Sequence, residues 1–361
     1  MATTFKNIST NDVVSTRTLL NESIPLTGTI LSGTYADNNI KYYSHGMFQS
    51  VYDYPYLSSS ANHVVDITMG YSADSGLASP ASLQNSKKIN TYNQMAQMLV
   101  GYDTTGSIMQ FDQDGNIAGG GTKLTAVYFL NFARLLTKDE IKKGSVTFAI
   151  ATGSFGTEYN GVKTLTDSGA ENDYRINSPA GEYGILYDSS LTASGLVYYQ
   201  AGIAVITASA VGPFGNFSTG STSRNNTLKL STIDTNGDVL RKRVQNISFN
   251  NTTELNSTIY FCRASHNEFN YSSNPTYLSS SKMVVKNVST DVPVSYITTV
   301  GLYSADNELL AVAKTSEPLK KDPTNELTLR VRLDYWFPFK GNLFIEENTN
   351  DLQIWWKWYL L

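Results

Sequence analysis

Along this chain, short runs of apolar and alternating residues are separated by clusters of Gly, Asn, Asp and Ser. That rhythm predicts strands and turns rather than long helices. Residues 145–150 alternate small polar and apolar side chains, as a half-buried strand does. Residues 125–130 form a more continuous apolar run, which predicts burial on both faces. Residues 195–206 read as one long strand or as two linked by a bulge at Gly202. Asn236-Gly237, between 228–233 and 239–244, carries the strongest hairpin signal, since Asn-Gly accepts the positive φ of a tight turn. Runs 299–303 and 309–313 flank a second turn at 304–308. Residues 326–334 alternate over their whole length, with Leu327, Leu329, Val331 and Leu333 facing one way and Thr328, Arg330 and Arg332 the other.

Helical spacing is rarer. Residues 87–100 place Ile89, Tyr92, Met95, Ala96 and Leu99 on one side, with Gly101 as terminator. Thr137 and Glu140 have the spacing of a capping box, which predicts a short helix ending at Gly144. The expected class is mainly β: antiparallel β-sandwich-like domains with two short helices. Composition shifts divide the chain into an arm or partial domain at 1–75, rich in Tyr, Ser and Asn, a central β domain at 76–210, and a sandwich-like module at 211–361. Residues 209–226 read as a linker or long loop, and another loop follows residue 263.

The chain has 361 residues, 41% of them hydrophobic and 16% charged, with a formal charge of −4. It can bury a core, and the charge argues against nucleic acid as main partner. The basic run Leu240–Arg243 is expected at a solvated strand edge. Cys262 is the only cysteine; it excludes an intrachain disulfide and reads as a buried strand thiol. The first residues have no basic-then-apolar leader, and no segment approaches the ~20 apolar residues of a membrane span.

Catalytic signatures are sparse. His45, His63 and His266 fall in no zinc spacing, and Ser44–His45 would point to opposite faces of a strand. Gly119–Gly121 lacks the Lys-Ser/Thr ending of a phosphate loop. Asp112, Asp114 and Asn116, and again Asp234, Asn236 and Asp238, alternate as calcium loops begin. Neither set has the glycine at position six or the glutamate at position twelve, and both suit β-turns. No enzymatic activity, cofactor, metal or small-molecule substrate is expected. The aromatic residues say more. Tyr52, Tyr54 and Tyr56 are clustered, as are Trp355, Trp356, Trp358 and Tyr359, and such side chains concentrate at interface centres. The second group either packs back on its own domain as a last strand or docks on a neighbouring subunit.

The segments Glu268–Tyr277, Tyr296–Tyr303, Asn307–Lys314, Pro318–Lys321 and Arg330–Tyr335 resemble a module of virion structural proteins from large contractile-tailed bacteriophages, notably marine ones. Residues Tyr43–Tyr56 and Tyr92–Gly101 resemble the same group. The resemblance implies a structural component of a virion assembled in the host bacterial cytoplasm. Its partners would be copies of itself and other virion proteins, and it carries over no catalytic residues. Tail, baseplate or fibre-attachment subunit is the leading expectation, and an aromatic tail rather than a fibrous repeat after the module favours a wedge, collar or attachment piece over a receptor-binding fibre. The alternatives are a neck, collar or capsid-decorating protein and, from another class, a protein that binds or cleaves host carbohydrate.

Overall fold

A computed structural model of the chain describes residues 5–32, 38–79, 81–116, 121–152, 161–211, 228–270, 278–279, 282–283, 290, 293–304, 308–336 and 353–355. They form two compact units, one of Leu20–Thr253 and one of Met1–Leu19 with Glu254–Leu361. The fold is mainly β and antiparallel, as expected. The expected divisions after residues 75 and 210 fall inside the larger unit.

The larger unit contains, in chain order, the latter part of the strand Val13–Thr27, α1 (Gly28–Ser32), β1 (Ile40–Tyr42), β2 (Gln49–Tyr52), β3 (His63–Tyr71), α2 (Leu83–Leu99), β4 (Ala126–Phe132), α3 (Arg134–Thr137) and β5 (Glu140–Ile141). It continues with β6 (Thr147–Thr152), β7 (Gly161–Thr166), β8 (Tyr183–Tyr187), β9 (Ala193–Tyr198), β10 (Ile203–Thr207), α4 (Ile233–Arg241) and the first half of β11 (Val244–Ala264). The strands pair in the order β11-β6-β7-β8-β9-β10-β4-β3-β2-β1.

The apolar run in β4 is buried on both faces. Tyr128 and Leu130 enter one core with Val65, Ile67 and Met69. Val127 and Phe129 enter another with Tyr92, Ala96 and Leu99 of α2. The first core also closes the sheet on itself. Phe132 of β4 lies 6.3 Å from the Phe148 ring of β6 and 5.0 Å from the Phe249 ring of β11. Five places in strand order separate β4 from β6, which in a flat sheet is about 24 Å. Ring contact across that interval requires a strongly coiled, sandwich-like sheet.

Helix α2 starts four residues earlier than its apolar spacing suggests, because Ser82 accepts a bond from the Asn85 N–H at 3.2 Å and caps it. Gly101, at φ 93°, follows its end. The helix sits on β3 through Gly70, where a Cβ would come within 2.7 Å of the Lys88 carbonyl and the Tyr92 nitrogen.

Several sequence expectations are corrected. Asn236-Gly237 is not a hairpin turn but part of α4, which Thr232 caps by accepting from the Thr235 N–H. A Cβ at Gly237 would have to displace the buried Gln49 side-chain amide. The basic run is not a solvated edge: Arg241 and Arg243 are fully buried. Arg241 donates to Asp238 (2.8 Å), the Tyr42 hydroxyl (2.9 Å) and the Leu31 carbonyl (3.4 Å). Thr137 ends a helix rather than starting one: Lys138 takes φ 55° and Glu140–Ile141 pair with Thr252 and Asn251. Residues 195–206 are two strands joined by a turn, with Gly202 at φ 68°. In place of two short helices, the described residues hold α1, α3 and α4 besides the 17-residue α2.

In the smaller unit, one sheet runs in the order Phe5–Asn7, Gln353–Trp355, Ser295–Tyr303, Leu309–Lys321. Separately, the second half of β11 pairs with Leu327–Trp336 from Leu255↔Trp336 to Ala264↔Leu327. Both contribute to a core of Cys262, Ala264, Ile297, Val300, Leu302 and Val331, against which Leu327, Leu329 and Leu333 pack. The alternation of 326–334 is thus realised, as is the hairpin of Ser295–Tyr303 with Leu309–Lys321. The Cys262 thiol is buried and pushed up to about 12 by that burial.

Candidate functional site

The clustered tyrosines lie at the end of β2 and in the turn after it. The Asn62 N–H and side-chain amide both bind the Asp53 carboxylate, at 2.7 and 2.9 Å, and close that turn. The Tyr52 ring is 6.4 Å from Tyr56 and 5.6 Å, edge-on, from His63. Tyr54 is 54% exposed and Tyr56 37%, so this group faces solvent. Of the tryptophan group, Trp355 closes a strand set between Phe5–Asn7 and Gly301–Tyr303. Trp356, Trp358 and Tyr359 lie outside the described residues.

Beside the tyrosines is a groove of about 440 Å³ that periodicity alone does not reveal. Its floor is the sheet face carrying Asp66, Thr68, Phe129, Asn131 and Ile203. Asp66 and Asn131 are direct cross-strand partners, and Asn131 in turn faces Ile203. One wall is the side of α2 with Gln94, Met95 and Met98. The other is the loop holding His45, Met47 and Phe48. That loop is pinned at both ends: Lys87 Nζ donates to the His45 carbonyl (3.0 Å) and Thr68 Oγ1 to the Met47 carbonyl (2.6 Å). Tyr43 stacks on His45 at 5.2 Å and 8°, with Phe48 within 5.1 Å of both.

Polar groups in the groove are sparse and placed. Oδ1 of Asp66 accepts from Ser50 Oγ (2.5 Å) and faces His63 Nε2 (2.8 Å). Its Oδ2 has no hydrogen-bond partner among the described residues, nor do the Asn131 and Gln94 side chains. His45 Nδ1 accepts the Met47 N–H at 3.0 Å, so the neutral ring carries its proton on Nε2. Serine, carboxylate and histidine meet here, but both partners bind the carboxylate. A nucleophilic relay needs the imidazole in the middle, so this cluster orients Asp66 rather than activating Ser50.

Other buried ionisable groups are engaged internally. Lys88 donates to the carbonyls of Leu228 and Ser231, both at 2.6 Å, and burial lowers it to about 8. Asp167 accepts from Val146 N–H (2.8 Å), Tyr199 OH (2.9 Å) and Gly144 N–H (3.0 Å), while burial raises its carboxyl. A second hollow of about 470 Å³ holds Lys123 and Lys163, which are paired with Asp112 and Asp188. Of the calcium-like sets, Asp112 thus faces a lysine, and Asp234, Asn236 and Asp238 lie on α4. Among the described residues no cluster of three His, Cys, Asp or Glu side chains could hold a metal, and no helix is long and apolar enough to cross a membrane.

Geometry therefore defines a mainly-β protein of two units, with an exposed tyrosine turn beside an amphipathic groove. No family model matches the chain, and no curated protein or solved structure is significantly similar to it.

Proposed function

We propose that this chain is a structural subunit of a tailed-phage virion, of tail, baseplate or fibre-attachment type, and that it acts by subunit–subunit assembly. One observation carries the reading beyond the resemblance. Residues 309–321, which overlap two of the resembling segments, form the edge of the smaller unit's sheet, with a neighbour on one side only among the described residues. This strand exposes Leu309, Leu310 and Val312. An edge strand bearing aliphatic side chains is a template for pairing with another chain, and the lysines and proline that blunt such an edge begin only at Lys314, leaving residues 309–313 without them. The exposed tyrosine turn adds a second contact of the residue type that anchors interfaces. Labelling of assembled particles with an antibody to this chain tests the proposal. Signal at the tail or baseplate supports it; signal at the neck or capsid moves the chain to the alternative positions; none on intact or opened particles refutes it.

A further inference from the structure

We infer that the groove between α2 and the 45–48 loop is the seat for residues 356–359 of a second copy of this chain, with Lys357 of that copy paired to Asp66. The inference rests on the assembly reading and names the contact that would join two copies.

The groove asks for a particular chemistry. Met47, Phe48, Met95, Met98, Phe129 and Ile203 make an apolar, deformable lining, and thioether walls accept aromatic rings well. Met98, 51% exposed on the helix, joins Met47, Phe48 and Met95 in one apolar lining. The floor adds one carboxylate whose Oδ2 has no partner among the described residues, held in place by Ser50 and His63. A suitable occupant carries one cation among large apolar side chains. The chain contains that combination at Trp356, Lys357, Trp358 and Tyr359.

The segment is also delivered suitably. The residues just before it, Gln353–Trp355, are fixed by pairing with Phe5–Asn7 and Gly301–Tyr303. Residues 356–361 can reach about 20 Å beyond Trp355 when extended. In extended form Lys357 and Tyr359 share one face, and Trp356 and Trp358 the other, with about 7 Å between neighbours on a face. A lysine on Asp66 then brings the tyrosine ring to the Met95–Met98 wall. Asp66 is the one carboxylate among the residues lining the groove, and no lysine or arginine lines it, so an acidic occupant would meet only like charge. Charge complementarity favours the basic segment.

Sedimentation velocity on the full chain, across a concentration series, tests this with charge swaps. Asp66→Lys and Lys357→Glu should each weaken self-association at least tenfold. Mixing the two variants should restore it, because each supplies what the other lacks. Asp66 is bonded within its fold, so Met98→Glu, on the exposed helix surface, is the control for a misfolded groove and should weaken association similarly. Unchanged association in Lys357→Glu and Met98→Glu overturns the inference, and so does a mixture that stays dissociated. Either result leaves the assembly reading standing if the parent chain still binds other virion proteins; a parent that binds nothing removes both.

Discussion

Replacing Lys88 with methionine removes a buried cation without changing the length of the side chain much. In the folded protein its Nζ serves Leu228 and Ser231 at 2.6 Å and Lys229 at 3.3 Å, and it is fully buried. Each bond from a charged donor is worth about 1.5–3 kcal/mol. Against this, holding the amine at about 8 instead of its ordinary 10.5 costs about 3 kcal/mol at neutral pH. Lys88→Met relieves that cost but strands two well-bonded buried carbonyls, at about 1–3 kcal/mol each. Two stranded carbonyls near the middle of that range cost about 4 kcal/mol, so the expected net loss is about 1 kcal/mol at pH 7. The folded value lies below the unfolded one, so the unfolded chain holds more protons between pH 8 and 10.5. Stability therefore rises across that window and falls again as pH drops through about 8. The variant lacks this rise, so its deficit should widen with pH. All four tryptophans, Trp336, Trp355, Trp356 and Trp358, belong to the smaller unit. Hydrogen exchange in peptides covering 83–99 and 228–241, in a urea series at pH 7, 8.5 and 10.5, is the appropriate assay. Equal protection at pH 7, or parallel curves for the two proteins up to pH 10.5, would refute the reasoning.

Gly237→Ala should lower the urea midpoint of the larger unit, costing about 1–3 kcal/mol through the clash with Gln49, although alanine favours a helix by about 1 kcal/mol; a stabilised variant contradicts the packing. Gly70→Ala should be worse, because the clashing atoms are backbone of α2, and loss of exchange protection across 83–99 reports it. Cys262, with its thiol raised to about 12 by burial, should resist iodoacetamide at pH 8 until denaturant is added; rapid alkylation of the native chain contradicts its placement.

How far this molecule can be read from its residues depends on whether the deciding contacts are local. The β4 run, the alternation from Leu327 to Leu333 and the hairpin of Ser295–Tyr303 with Leu309–Lys321 were legible because period and burial coincide within a few residues. Helix α4 was not. Asn-Gly favours a turn in isolation, but here Thr232 caps a helix, Gln49 fills the space above Gly237, and Arg241 finds Tyr42 and Leu31 from distant parts of the chain. The same distant partners bury charges that looked like a solvated edge. For the site, the grouping of Tyr52, Tyr54 and Tyr56 was visible as composition. The groove beside it was not, since β3, β4, β10, α2 and the 45–48 loop each contribute only one to four of its residues. No spacing rule joins them before the sheet forms.

The claim at the centre of this account is that the chain works by assembling. Size-exclusion chromatography with light scattering, on the purified full chain alone and mixed with other virion proteins, tests it most directly. A defined oligomer or a stoichiometric co-complex is the predicted result. A stable monomer at every concentration, with no affinity for any virion protein, would contradict it.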